Sequence, residues 1–157
     1  MIAFYDVDPE YIEFLKTYDS KDPDVLYEGN NKFVCGIVLC INDINYYAPI
    51  SHKTEKQRTN IQIKDKDRIL STIRFSFMFP APDFVLHKKD FSNIANDDGK
   101  YADLLAKEYE FCQKNLPQIK QKAQAVYNIG CNKEHVLNYT CCDFKKLEQY
   151  YKKYKNS

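Results

Sequence analysis

NKFVCGIVLCINDINYYAPISHK, residues 31–53, reads as two β-strands joined by a two-residue turn. The first run, Phe33–Ile41, carries aromatic and β-branched side chains on both faces, as a strand in the middle of a sheet requires. Asn42 and Asp43 tolerate left-handed backbone angles and supply the turn. The second run is Ile44–Ile50. A two-residue turn sets Ile41 against Ile44, Leu39 against Tyr46 and Ile37 against Ala48. Carried outward, the same register sets Val34 against Ser51, Phe33 against His52 and Lys32 against Lys53. Directly opposed lysines repel. A phosphodiester lying between them would relieve that repulsion, which makes the far end of the hairpin a candidate anion site. The same lysines also suit a plainer role, as solvated charges that keep a strand end from aggregating. Pro49 donates no ladder hydrogen bond and is a place where pairing can stop.

The 157 residues fit one domain, 1–157, with a sizeable core. Aromatic side chains are plentiful, with 13 Tyr and 10 Phe, and the tyrosines keep a polar tip for a wet surface. The net charge of +1 conceals a gradient. Residues 1–31 are acidic, with Lys16 and Lys21 as their only bases. Residues 51–74 are basic, holding Lys53, Lys56, Arg58, Lys64, Lys66, Arg68 and Arg74 against three acids, Glu55, Asp65 and Asp67. Such a distribution allows a basic face on a nearly neutral protein. No apolar run is long enough to span a membrane and the N-terminus lacks a signal-peptide pattern, so a cytoplasmic location is expected. The 6 cysteines form no CxxC pair, so reduced thiols and no zinc site are expected.

Asp8-Pro9 starts a short helix that runs to about Tyr18. Residues 19–31 read as loop or turn, and 51–60 as a mobile basic loop. Ile61 and Ile63 mark a short strand, and Asp65–Arg68 a turn. Ile69–Phe79 alternates over its whole length and predicts one long half-buried strand, stopped by Pro80. Phe84–His87 reads as a further strand, and 92–99 as a polar loop. Helices follow from Tyr101, from Pro117 and from Asp143. In the last of these, Tyr150, Tyr151 and Tyr154 are expected to pack rather than to bind. Strands first and helices after predict an α+β fold, with a twisted, mainly antiparallel sheet flanked by about four helices. Four glycines and no GxGxxG turn argue against a dinucleotide-binding fold.

The ordered set KFVCGIVL at 32–39, YYAPISHK at 46–53, FMFP at 77–80 and YADLLAKE at 101–108 resembles the ToxN/AbiQ-type toxins of type III toxin–antitoxin systems, with the CptN branch as one possible placement. The likeness covers about residues 2–127 and fades in the last helix. It implies a fold similar to MazF- and Kid-type toxins. It also implies a metal-independent endoribonuclease, without cofactor, that leaves a 2′,3′-cyclic phosphate and a 5′-hydroxyl. The implied partners are cellular or phage RNA as substrate and a small repeat-derived pseudoknot RNA as inhibitor, closed with the toxin into cyclic or chain-like assemblies. The implied setting is plasmid maintenance or abortive phage infection. Lys32 matches the family lysine before the central strand, and Ser51 and Lys53 match its hydroxyl-rich loop with one position deleted. His52 stands where the family has Ser-Pro. Tyr27 lies near a family tyrosine, at a spacing that differs by one residue.

Cleavage by internal transfer needs a base for the 2′-hydroxyl, donors for the phosphorane oxygens and an acid for the leaving 5′-oxygen. Lys32 and Lys53 suit charge stabilisation, and Ser51 suits a hydrogen bond to phosphate or ribose. An unperturbed histidine titrates at roughly 6.5, which qualifies His52 as base or acid. Strand alternation would aim His52 away from Ser51 and Lys53, a conflict that a loop beginning at Pro49 removes. Lys56, Arg58, Lys64, Lys66 and Arg68 are candidates to track an RNA backbone, and Tyr46 and Tyr47 to stack on bases. His87 and His135 have no partners nearby in sequence and are read as structural. Two other functions fit the same residues: a non-catalytic RNA-binding module, and a MazF-like ribonuclease neutralised by a protein.

Overall fold

The computed structural model describes residues 2–19 and 33–155. Among these described residues, seven strands form a single antiparallel sheet: β1 (Ala3–Val7), β2 (Phe33–Ile41), β3 (Ile44–Ser51), β4 (Asn60–Asp65), β5 (Arg68–Arg74), β6 (Phe79–Pro80) and β7 (Leu86–Lys88). Their order across the sheet is β4-β5-β3-β2-β1-β7, with β6 pairing beside β5 on β3. Five α-helices accompany it: α1 (Pro9–Lys16), α2 (Phe91–Asp97), α3 (Gly99–Lys114), α4 (Leu116–Cys131) and α5 (Phe144–Tyr150). The expected α+β layout is therefore present.

The hairpin forms as its turn chemistry dictates. Asn42 and Asp43 have φ of 51° and 63°, which suits a primed two-residue turn. Ile41 pairs with Ile44 and Leu39 with Tyr46, as expected. The register then slips. A bulge between Gly36 and Leu39 sets Gly36 against Tyr47, Val34 against Pro49 and Phe33 against Ile50. The pairings expected at the far end, Val34 with Ser51 and Phe33 with His52, are thus displaced by two residues. Tertiary packing explains the slip. The Tyr47 ring lies so close over Gly36 that a methyl group there would overlap it, and the ring packs edge-on against Tyr5 at 5.7 Å.

The sheet has two different faces. Ser71, Ile73, Ile50, Ala48 and Tyr46 share one face through the β3–β5 register and strand alternation. Against it lie Glu108 of α3, which accepts a hydrogen bond from Ser71 at 2.5 Å, and Tyr127 of α4, whose ring meets Tyr46 at 5.6 Å. Phe144 of α5 closes on the same tyrosine at 5.9 Å. This is the main core. Thr72 and Ser51 project to the opposite face.

Other departures have local causes. The run from Ile69 to Phe79 is not one strand, because Phe75–Phe77 turns through a 3-10 segment and only Phe79–Pro80 rejoins the sheet. Residues 91–97 are helical rather than loop, started by Asp90, whose side chain accepts from the Asn93 amide at 3.1 Å. Asp143 caps α5 as read, accepting from the Lys146 amide at 3.2 Å. The closing tyrosines pack: Tyr150 stacks on Tyr18 at 4.1 Å and Tyr154 meets Tyr11 edge-on at 5.1 Å. Cys35, Cys40, Cys112 and Cys131 are free thiols.

Candidate active site

Ser51 is the last residue of β3, paired with Thr72 of β5, which pairs in turn with Gln62 of β4. These neighbours hold the chain that leaves the strand. Ser51 Oγ accepts the Lys53 amide at 3.2 Å, a local turn that reverses the backbone just after the strand. Thr72 Oγ1 donates to the Lys53 carbonyl at 2.8 Å, and Gln62 Nε2 to the Thr54 carbonyl at 2.8 Å. Asn60 closes the loop from its other end, donating to the Glu55 carbonyl and accepting the Gln57 amide, each at 3.0 Å. Residues 51–60, expected to be mobile, are instead tied down at both ends by side chains of the sheet.

That tethering separates the roles of three neighbours. Ser51 is 7% exposed, so its hydroxyl shapes the turn. His52 and Lys53 are exposed at the surface. The chain bends after Ser51 rather than continuing as a strand, so alternation does not force His52 away from Lys53. Lys32 and Tyr27 lie outside the described residues.

The remaining candidates divide into three groups. Lys56 and Arg58 are exposed on the tethered loop. Lys64, Lys66 and Arg68 are exposed at the β4–β5 turn, where Lys66 has a φ of 56°. At about 3.3 Å per residue, that turn stands roughly 13 Å from Thr72 along β5. Asp65 in the turn pairs with Lys107 at 3.6 Å. Tyr46 and Tyr47 are corrected by their burial, 0% and 3% exposed, which leaves neither ring open to stack on a base. Tyr46 donates to Glu148 Oε2 at 2.7 Å, and Tyr127 donates to the same oxygen at 2.6 Å. Burial drives the Tyr46 phenol far above its ordinary value, with Glu148 adding to the effect. Burial likewise pushes Tyr47 up to about 12, helped by Asp83 and Tyr5.

His87 and His135 have structural partners. His87 Nε2 lies 2.7 Å from Asp8 Oδ1, and His135 Nδ1 accepts the Leu137 amide at 3.0 Å. No group of three or more His, Cys, Asp or Glu among the described residues gathers as a metal site. No helix there is long and apolar enough to cross a membrane.

Sequence reasoning missed a cleft beside the loop. About 540 Å³ in volume, it is lined by Arg58 and Thr59 of the loop, by Arg74 and Phe77, and by Leu137, Tyr139 and Thr140. Alternation puts Arg74 on the same face as Thr72, two residues and roughly 7 Å along β5. The basic character of 51–74 pointed toward the cleft, but residues 137–140 are too distant in sequence to have been joined to it.

The fold is shared with solved structures of one class. One, concerning selective inhibition of the toxin of a type III toxin–antitoxin system by a non-coding RNA pseudoknot, matches with a TM-score of 0.90 and 26% identity over 99% of each chain. Another, AbiQ, a lactococcal anti-phage endoribonuclease of a type III system, matches with a TM-score of 0.83 and 25% identity over 98% of each chain. The class is that of type III toxin–antitoxin toxins. Residues 3–152 match the family model for toxin ToxN of type III toxin–antitoxin systems, and the chain belongs to that family. Endoribonuclease ToxN of Bacillus thuringiensis subsp. kurstaki is 26% identical over 97% of this chain and 84% of its own length.

Proposed function

We propose that this protein is the endoribonuclease toxin of a type III system, cutting RNA by attack of a ribose 2′-oxygen on the adjacent phosphorus. The attack breaks the bond to the 5′-oxygen and leaves a 2′,3′-cyclic phosphate on one fragment and a 5′-hydroxyl on the other. The observation that carries this reading is the turn in which Ser51 Oγ holds the Lys53 amide and Thr72 holds the Lys53 carbonyl. A backbone fixed on both sides roots the lysine at a defined place, from which its ammonium reaches and stabilises charge as it develops on the phosphorane oxygens. Lys32 supplies a second cation. His52 exchanges the proton between the 2′-oxygen and the leaving 5′-oxygen. Family membership supports the same activity. The inhibiting partner is a small pseudoknot RNA processed from a repeated precursor, bound in a cyclic or chain-like assembly in the bacterial cytoplasm. Similarity to toxins inhibited by such an RNA and to an anti-phage endoribonuclease supports that reading.

The test is incubation of the purified protein with RNA in EDTA, followed by analysis of the fragment ends. Cyclic phosphate and 5′-hydroxyl ends are expected. RNA bound but left intact would replace the enzyme by a binding module.

A further inference from the structure

The cleft between the tethered loop and residues 137–140 has features that neither the fold nor the turn at Ser51 requires. Its described lining contains two arginines, Arg58 and Arg74, and no carboxylate. Arg74 lays its guanidinium over the Phe77 ring at 4.6 Å, which orients a planar cation. Tyr139, 73% exposed, lines the same cleft from a 3-10 turn. An exposed ring on a floppy segment would mean little. This one is anchored: Asn138 Nδ2 donates to the Ile129 and Gly130 carbonyls at the end of α4, each at 3.0 Å, and the Cys142 amide donates to the Ser76 carbonyl at 2.9 Å. The ring is therefore held out at the rim without being packed.

We propose that this cleft binds one unpaired nucleotide beside the scissile bond, with its base stacked on Tyr139 and its phosphate between Arg58 and Arg74. The inference rests on the endoribonuclease reading above and adds a site that selects where RNA is cut. An aromatic ring offers a stacking surface to any base that has left a helix. Two guanidinium groups suit a phosphate, which they can grip through paired N–H donors. Thr140 Oγ1 donates to the Leu137 carbonyl at 2.6 Å and keeps lone pairs that can accept from a base amino group. A cleft of about 540 Å³ falls within the usual range for small-molecule sites. Roughly 7 Å of β5 separates Arg74 from Thr72, so one strand of RNA can touch the cleft and the Lys53 turn together.

The experiment uses a fluorescent hexanucleotide pool of 2′-O-methyl RNA, whose blocked 2′-oxygens prevent cleavage. Binding is compared for the unmodified protein, Tyr139→Ala, Tyr139→Phe and Arg58→Ala. Tyr139→Ala should weaken binding about tenfold and Tyr139→Phe should preserve it. Arg58→Ala should weaken binding and flatten its salt dependence. With cleavable RNA, Tyr139→Ala should raise KM and broaden the choice of cut sites, with little change in kcat. Ala variants that bind the pool as tightly as the unmodified protein would overturn the cleft, even if cutting persists. Loss of tight binding in the Ala variants of a protein that never cuts would instead remove the enzymatic reading and leave the cleft standing. An unmodified protein that does not bind the pool would overturn the cleft as well.

Discussion

The two ends of β3 differ in almost every physical respect although only six residues lie between Tyr46 and Lys53. At one end Tyr46 is 0% exposed, enclosed by Tyr127 and Phe144, with its hydroxyl committed to Glu148. At the other end the strand stops at Ser51, and an exposed turn presents His52 and Lys53. As a string of residues, YYAPISHK looks like one surface with aromatic stackers and cations side by side. Folded, it is a buried half and an exposed, cationic half. An aromatic residue near a basic loop gains its role from what covers it, and here α4 and α5 cover it.

Substitutions at the two halves should therefore change different observables. Tyr46→Ala empties a large buried site and removes one of the two tyrosine hydrogen bonds to Glu148, so it should lower stability by about 3–5 kcal/mol, read as a fall in the denaturation midpoint. A variant that melts normally but loses RNA affinity would return Tyr46 to the binding surface. Gly36→Ala should destabilise by about 1–3 kcal/mol, because the new methyl meets the Tyr47 ring. Stability equal to the unmodified protein's would show that the bulge does not depend on this contact.

The smallest effect concerns the buried carboxyl behind the sheet. Burial raises Glu108 above the ordinary carboxylate value, and the hydrogen bond from Ser71 only partly opposes this. The folded protein thus holds that proton more tightly than the unfolded chain. The contribution to stability is full below the unfolded pKa and declines as pH rises through the raised folded value. Glu108→Gln removes this dependence, so its melting temperature relative to the unmodified protein should be higher at pH 8 than at pH 5. An identical difference at both pH values would deny Glu108 that titration.

Much of the fold was legible because local rules and tertiary packing agreed. Asn42-Asp43, Asp8-Pro9 and Asp143 each signal an element boundary through their own backbone chemistry, and each boundary falls there. The failures come where packing decides. Nothing in GIVL announces a bulge, since the slip depends on Tyr47 lying across Gly36 from another strand. Phe75 and Phe77 maintain a perfect alternation through a 3-10 turn, because both strand and turn can send aromatic rings into apolar surroundings. Helix α2 contains no buried residue, so its sequence lacked the apolar stripe that reveals a helix. For the candidate site, the Ser51–Lys53 segment stands out by its residue types and by likeness to a family. The hold of Thr72 and Gln62 on the loop, and the nearness of Tyr139 to Arg58, are products of the folded chain.

On the proposed mechanism, Lys53 serves the chemistry and not the fold. The most direct test measures cutting rate and melting temperature together for Lys53→Ala. The expected result is a loss of about 100-fold or more in cutting, as for removal of one preorganised charge-stabilising donor, with an unchanged melting temperature. Cutting at the unmodified rate, or a loss explained wholly by unfolding, would contradict it.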